Sequence, residues 1–340
     1  MKKRTFIISL IISVSFIDAF AQSDKWTSGR PDGHAPIGVM GDHYHAKGEW
    51  MFSYRYMRTP MDGNIMGSND ISNETIFDQY MVAPQEMSMQ MHMIGAMYAF
   101  SDRLTLMAMA NYMVHEMDLK TQMGQSFTTG SSGFGDASLA ALIKLLNANR
   151  QSLHLNIGIG IPMGSITQRD NTPAMDNMKL PYPMQSGSGT WNPSFGMTYL
   201  GQSDILSWGF QPSFTVRTGE NSEEYRLGNI LSFNAWSAVK ANEWFSFSLR
   251  GAYLQTGPIK GADPELNPMM APPGDFNNTG RESVSLFAGG NFYIPSGFLE
   301  NIRLGIEAGL PVYQHAEGIQ MEQAWSFTAG IQYSLGGQAH

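Results

Sequence analysis

Cysteine is absent from the 340 residues. Neither disulfides nor a thiolate metal site can therefore staple the chain, and its stability must come from packing and backbone pairing. Basic runs are missing too: Lys and Arg number 21 against 29 Asp and Glu, for a formal net charge of −8. That balance argues against a nucleic-acid partner. Past the N-terminus no stretch reaches the roughly 18 uninterrupted apolar residues that a membrane helix needs. At the N-terminus, Lys2, Lys3 and Arg4 precede the apolar run Phe6 to Phe16, and Ala19-Phe20-Ala21 supplies a small-residue cleavage pattern. Residues 1–21 read as a secretory signal peptide cut before Gln22, with an apolar part too short to span a bilayer. The mature chain is expected to be exported without a membrane helix.

What is present suits sheet: 36 Gly, 19 Phe, 13 Tyr and 7 Trp, with 15% charged residues. Apolar side chains recur at every second place, the period of a strand with two different faces. In "LHLNIGIGI", Leu153, Leu155, Ile157, Ile159 and Ile161 oppose His154, Asn156, Gly158 and Gly160. In "FSFSLRGAY", Phe245, Phe247, Leu249 and Tyr253 oppose Ser246, Ser248 and Arg250. The last strand sets Trp325, Phe327, Ala329, Ile331, Tyr333 and Leu335 against Ser326, Thr328, Gln332 and Ser334, with aromatics at both ends of the apolar face.

Twelve such segments begin near residues 47, 87, 103, 134, 151, 190, 205, 225, 243, 282, 301 and 321. The gaps at 101–103, 147–150, 201–204, 240–243 and 295–300 are short, while 59–86, 118–133, 163–189 and 256–281 are long. An even strand count with short turns at one end and long loops at the other is the pattern of an outer-membrane barrel. A soluble sandwich or lipocalin-like barrel also alternates, but its apolar face points inward and its aromatics need not collect at strand ends. The expectation is an all-β, transmembrane antiparallel barrel over residues 47–336, preceded by a Gly/Pro/His-containing periplasmic leader over residues 22–46.

One stretch stands apart: "MSMQMHMIGAMYAFSDRLTLMAMANYMVHEM", residues 87–117, places methionine at alternate positions on both sides of a polar break. Leu104, Leu106, Ala108, Ala110, Tyr112 and Val114 make a lipid-type face, so Met107, Met109, Asn111, Met113, His115 and Met117 point into the lumen. In the preceding strand Ile94, Ala96, Tyr98 and Phe100 face out, and Met87, Met89, Met91, Met93 and Met97 face in. The first strand adds Met51, Ser53, Arg55 and Met57 inside against Trp50, Phe52, Tyr54 and Tyr56 outside. Two inward odd-numbered sets pair across an odd connection such as Ser101-Asp102-Arg103, so paired positions sum to 204. Met97 then faces Met107, Met91 faces Met113, Met89 faces His115 and Met87 faces Met117.

Two chemistries fit this wall. Thioethers favour Cu(I) and need no deprotonation, so Met89, Met91, Met113 and Met117 with His115 could hand a soft ion along. Methionine is also a flexible, polarizable apolar residue suited to a lumen for greasy or aromatic solutes, and that reading is preferred. Further methionines fall in the expected outer loops: Met61, Met66, Met175, Met178, Met184, Met269 and Met270. The leader carries "GHAPIGVMGDHYH", in which His34, Met40, Asp42, His43 and His45 could hold copper or zinc, although paired histidines are more often plain surface residues.

The segments "GVMGDHYHAKGEWMFSYRYM", "QSFTTGSSGFGD", "NIGIGIPMGSI" and "NTPAMDNMKLPYPMQSGSGTW" resemble the outer-membrane transporters of the meta-pathway phenol-degradation family. The resemblance runs from about residue 36 to the C-terminus. It implies an outer-membrane channel passing hydrophobic or aromatic molecules, with no catalytic motif, and the methionine content is similar to that of a subgroup associated with copper handling.

The enzymatic alternative is an outer-membrane lipid hydrolase, because outer-membrane phospholipases use Ser, His and Asn on the outer wall of a twelve-stranded barrel. Here His92 is the histidine on a lipid-type face, with Ser88 and Gln90 beside it, but no outward Asn joins them and no nucleophile motif is recognisable. "GIGIPMGS" ends a strand at a proline and lacks the lysine of a phosphate loop. The expected partners are outer-membrane lipid, the barrel-assembly machinery during insertion, and small hydrophobic or aromatic solutes or copper ions. No cofactor is implied, with copper as the one candidate.

Overall fold

The computed structural model describes residues 26–336, so the expected signal peptide lies outside the described residues. One five-residue helix (Asn73–Phe77) and three short 3-10 turns aside, the described chain is strand and loop. Strands β1 (Trp50–Gly67), β2 (Val82–Ser101), β3 (Leu104–Thr121), β4 (in two pieces, Ser126–Phe134 and Ala137–Ala148), β5 (Gln151–Ile161), β6 (Asn192–Gln202), β7 (Leu206–Thr215), β8 (Ile230–Lys240), β9 (Phe245–Thr256) and β10 (Arg281–Tyr293) pair antiparallel in chain order. The extended stretch Ile302–Gln323 doubles back at Gly318, whose φ is +76°. Its residues 302–316 (β11) pair with β10, and residues 319–323 run on into Ser326–Leu335 to form β12, which pairs with β1. That seam, from Trp50–Leu335 to Arg58–Phe327, closes a twelve-stranded barrel.

Alternation decides which face meets lipid. In β12 Ile331, Tyr333 and Leu335 are 39–40% exposed, whereas Thr328 and Gln332, of the opposite parity, are 7% and 4% exposed. A period of two under one apolar environment and one polar one leaves the register no freedom to slip by a single residue. The register of β2 and β3 is the one expected, pairing Met97 with Met107, Met91 with Met113, Met89 with His115 and Met87 with Met117. The turn itself is tighter than expected, only Asp102-Arg103, and a register shift between Ala99 and Ser101 absorbs the difference.

Two expected loops are largely strand. β1 continues through Pro60 and Gly63 to Gly67, with a register shift between Met61 and Asn64, and the first piece of β4, "SFTTGSSGF", pairs with β3 from Tyr112 to Lys120. Both segments rise past the apolar band, where water replaces lipid and the outward positions need not be apolar. Their turn-rich composition therefore conceals strands. β4 breaks at Gly135-Asp136, where the Asp136 carboxylate accepts hydrogen bonds from the backbone of Gly164 and Ser188.

The leader corrects the sequence reading most. Residues 26–48 do not stand in the periplasm ahead of the barrel. They thread into its short-turn end and take strand side chains as hydrogen-bond partners. Ser246 Oγ and Arg303 donate to Pro31 O, Ser207 Oγ to Asp32 O, and Gln211 Nε2 to Met40 O. His154 and Asn156 converge on Gly41 O.

Candidate functional site inside the barrel

The lumen has two halves with different chemistry. Its short-turn half holds the leader and the charges that seat it. Arg250 on β9 makes a two-pronged contact with Glu307 on β11, Nε to Oε1 at 2.8 Å and Nη2 to Oε2 at 2.9 Å, and its third nitrogen donates to Asn234 Oδ1 at 2.6 Å. Glu307 Oε2 also accepts from Gly38 N at 3.1 Å, which ties this pair to the leader. Arg303 donates from its two Nη nitrogens to the leader carbonyls of Ser28, Arg30 and Pro31. These inward charges are buried by another part of the same chain, and a buried charge persists only where it is paired and hydrogen-bonded.

Three leader histidines lie together in this half. The rings of His34 and His43 have centroids 3.8 Å apart, and those of His43 and His45 are 4.8 Å apart. Asp42 Oδ1 lies 2.9 Å from His43 Nδ1, and Glu49 Oε2 lies 3.1 Å from His45 Nδ1. Burial, with the positive Arg303 and the other imidazoles, holds His34 well below the usual imidazole range. Burial also lowers His45, against the opposing pull of Glu49. The Asp42 carboxyl is held low despite its burial, by His43, by His34 and by the Ala35 N–H. A buried ring nitrogen without a partner costs about 1–3 kcal/mol, and His34 Nδ1, His43 Nε2 and His45 Nε2 are three such atoms. A polar cavity of about 770 Å³ opens beneath them, lined by His34, Tyr44, His45, Glu49, Lys144 and Arg303 among others.

The methionine wall runs from the leader-filled half up into the long-loop half, with an order the sequence reading captured only in part. Cross-strand pairing sets three rows over β1, β2 and β3: Met51–Met97–Met107, Met57–Met91–Met113 and Met61–Met87–Met117. Met61, expected in a loop, completes the third row, its place concealed by Pro60 and Asp62-Gly63-Asn64. The lowest row packs with Leu142 and Tyr44 of the leader. The uppermost packs with Leu180, Met184, Ala271 and Met270 from the two longest loops, and with Met321. The middle row, with Met89 beside it, is half-exposed and belongs to neither cluster, whereas the half-exposed Met61 and Met107 pack against them. Met93 is buried, Met109 is half-buried, and His115 is 2% exposed with Nδ1 3.3 Å from Ser131 Oγ.

The loops form a lid. Lys179 Nζ lies 2.6 Å from Asp263 and 2.5 Å from Glu223, joining three loops through one buried ammonium. Under and beside the lid are two apolar cavities. One of about 400 Å³ is lined by Met81, Met117, Leu119, Phe127, Leu180 and Met270 among others, and one of about 310 Å³ by Met61, Met87, Met117, Tyr182, Ile319 and Met321. Met117 borders both.

Of the other candidate positions, Met178, Met184 and Met270 join the lid, while Met175 and Met269 stay exposed. Met40 is 36% exposed, which sets it apart from the buried leader histidines His34, His43 and His45. On the lipid face His92 Nδ1 lies 2.8 Å from Tyr54 Oη, and Gln90 accepts from Tyr56. Ser88 is four residues along the strand from His92, about 13 Å at strand rise, so no nucleophile and base meet there. Sequence reasoning missed the leader's place in the lumen and the Arg250–Glu307 pair. The signal was there: Arg55, Arg250, Arg303 and Glu307 all have inward parity, and inward charges at membrane depth require an occupant to pair with.

A closed twelve-stranded barrel with a lipid-type outer face, long loops at one end and an occluded lumen defines a channel-type protein of the outer membrane. Residues 99–271, just over half of the chain, match the family model described as "Putative MetA-pathway of phenol degradation", and the chain belongs to that family. Its fold is similar to that of an outer membrane channel from Pseudomonas putida F1, with a TM-score of 0.59, 12% identity, and coverage of 87% of this chain and 99% of that one. A looser likeness, with a TM-score of 0.41, 10% identity, and coverage of 91% and 98%, is to a Pseudomonas aeruginosa FadL homologue. No curated protein matches the chain in sequence.

Proposed function

We propose that the chain is a passive outer-membrane channel for small hydrophobic or aromatic molecules, with the half-exposed methionines Met57, Met89, Met91 and Met113 as its selectivity surface. The observation that carries this reading is the position of Met117, which borders both apolar cavities at the lid. A solute entering under the lid would pass one flexible thioether into a second apolar chamber. Thioethers adapt to varied shapes and pack well against aromatic faces. The family description, which names phenol degradation, supports an aromatic solute.

The test is single-channel conductance of the purified protein in a planar bilayer, with and without an aromatic solute such as phenol. Small current steps that phenol reduces are expected, and removal of residues 22–41 is expected to raise the conductance severalfold. A wild-type conductance equal to that of the shortened chain would overturn the occluded channel. Met117→Lys, which puts a charge between the two chambers, should cut phenol flux by about tenfold or more, because an unpaired charge in an apolar site is costly. Unchanged flux would remove Met117 from the path.

A thioether exchange separates this reading from Cu(I) handling. Replacing Met89, Met91, Met113 and Met117 with leucine nearly conserves apolar volume, so folding and phenol flux should persist within about twofold. Loss of stoichiometric Cu(I) binding in that variant would instead support the soft-metal alternative.

A further inference from the structure

The leader histidines have no part in a passive hydrophobic path. Among the described residues, His34, Asp42 and His43 form the one group of three metal-ligating side chains whose donor atoms lie within 4.8 Å of one another. We infer that His34 and His43, joined by His45 whose ring centroid lies 4.8 Å from that of His43, form an imidazole site for a divalent first-row transition ion, Cu(II) or Zn(II), that fastens the leader inside the lumen.

Three observations converge on it. His34 Nδ1, His43 Nε2 and His45 Nε2 are buried without hydrogen-bond partners. His43 and His45 each present the opposite ring nitrogen to a carboxylate, Asp42 at 2.9 Å and Glu49 at 3.1 Å. That pairing fixes the tautomer with the Nε2 lone pair free, and carboxylates commonly orient metal-bound imidazoles in this way. Finally, the polar cavity at the short-turn end reaches both His34 and His45, which gives an ion a way in from the periplasm.

The charges nearby are compatible with a dication. Arg55 and Arg303 oppose it, and Asp42 and Glu49 offset them. Imidazole ligands favour Cu(II) and Zn(II) over the harder divalent ions, with Cu(II) the tighter of the two.

The test uses the mature full-length barrel carrying no histidine tag, refolded in detergent, stripped with a chelator and titrated with Zn(II) and with Cu(II). One ion per barrel is expected, and the Cu(II) paramagnetic resonance spectrum should show nitrogen hyperfine coupling from imidazoles. The combined variant His34→Gln, His43→Gln and His45→Gln should lose this binding, whereas His115→Gln in the methionine wall should keep it. Glu49→Gln, which removes an orienting carboxylate and no ligand, should weaken binding about 10- to 100-fold. It also serves as the comparison if the triple variant fails to show a heat-modifiable gel shift. The site is overturned by the absence of a stoichiometric ion in folded wild type, by a copper spectrum without nitrogen coupling, or by unchanged binding in the leader variants.

Discussion

Replacing Glu307 with alanine is expected to destabilise the folded barrel by about 3–5 kcal/mol, the cost of leaving a buried charge without its partner. Arg250 is 8% exposed, and Glu307 receives two of its donors. Removing the carboxylate also frees Gly38 N, so the leader should loosen and channel conductance should rise together with the loss of stability. The urea midpoint of the heat-modifiable gel shift measures the first effect and planar-bilayer recording the second. A midpoint within error of wild type would show that the pair is not buried as described. Exchanging both residues at once, Arg250→Met with Glu307→Leu, should recover most of the loss, because the penalty comes from the unpaired charge rather than from the missing pair.

Arginine at Ala329 is expected to cost about 2–4 kcal/mol, as a charge on the lipid face near the bilayer midplane does. Ala329 lies midway between Trp325 and Tyr333, the aromatics at the two ends of the apolar face of β12. Leu254→Arg is the contrast. Leu254 has inward parity on β9 between Ser232 and Ser283, yet it is 44% exposed because the lumen is open there, so arginine can reach water and the change should be small. Equal urea midpoints for the two variants would refute the assignment of faces. Alternation alone would also make Thr328→Arg mild, since Thr328 points inward. The structure reverses that expectation, because Thr328 is 7% exposed beside Glu307 in the half of the lumen that the leader fills.

The comparison of Thr328 with Leu254 shows where the sequence stops being legible. Parity assigns both to the lumen, and it does so correctly, because it depends only on neighbours along the strand. Whether an inward position meets water or packed protein depends on residues more than 200 positions away in the chain, and no local pattern carries that information. The three methionine rows divide the same way. Their membership followed from alternation and an odd connection, apart from Met61, whose setting among Pro60, Asp62 and Gly63 reads as a turn. Their environments did not follow: Met87 and Met117 close against loop residues Leu180 and Met184, Met51 and Met97 pack near Tyr44 of the leader, and Met57, Met91 and Met113 stay half-exposed outside both clusters.

The sequence by itself therefore determined the barrel, its twelve strands, the face that each residue presents and the register of the β2–β3 hairpin. These properties arise from a period-two pattern under a sharp difference between lipid and lumen, which every strand reads locally. Only the tertiary structure decided what fills the lumen. The leader has too few apolar residues to reveal a buried position, and it is held by Arg303, Glu307, Ser246 and Gln211 from strands that meet only when the barrel closes. Closure brings His34, His43 and His45 out of water and leaves their ring nitrogens without partners, so a short histidine pattern that is unremarkable in sequence becomes a concentrated set of donors only in the folded channel.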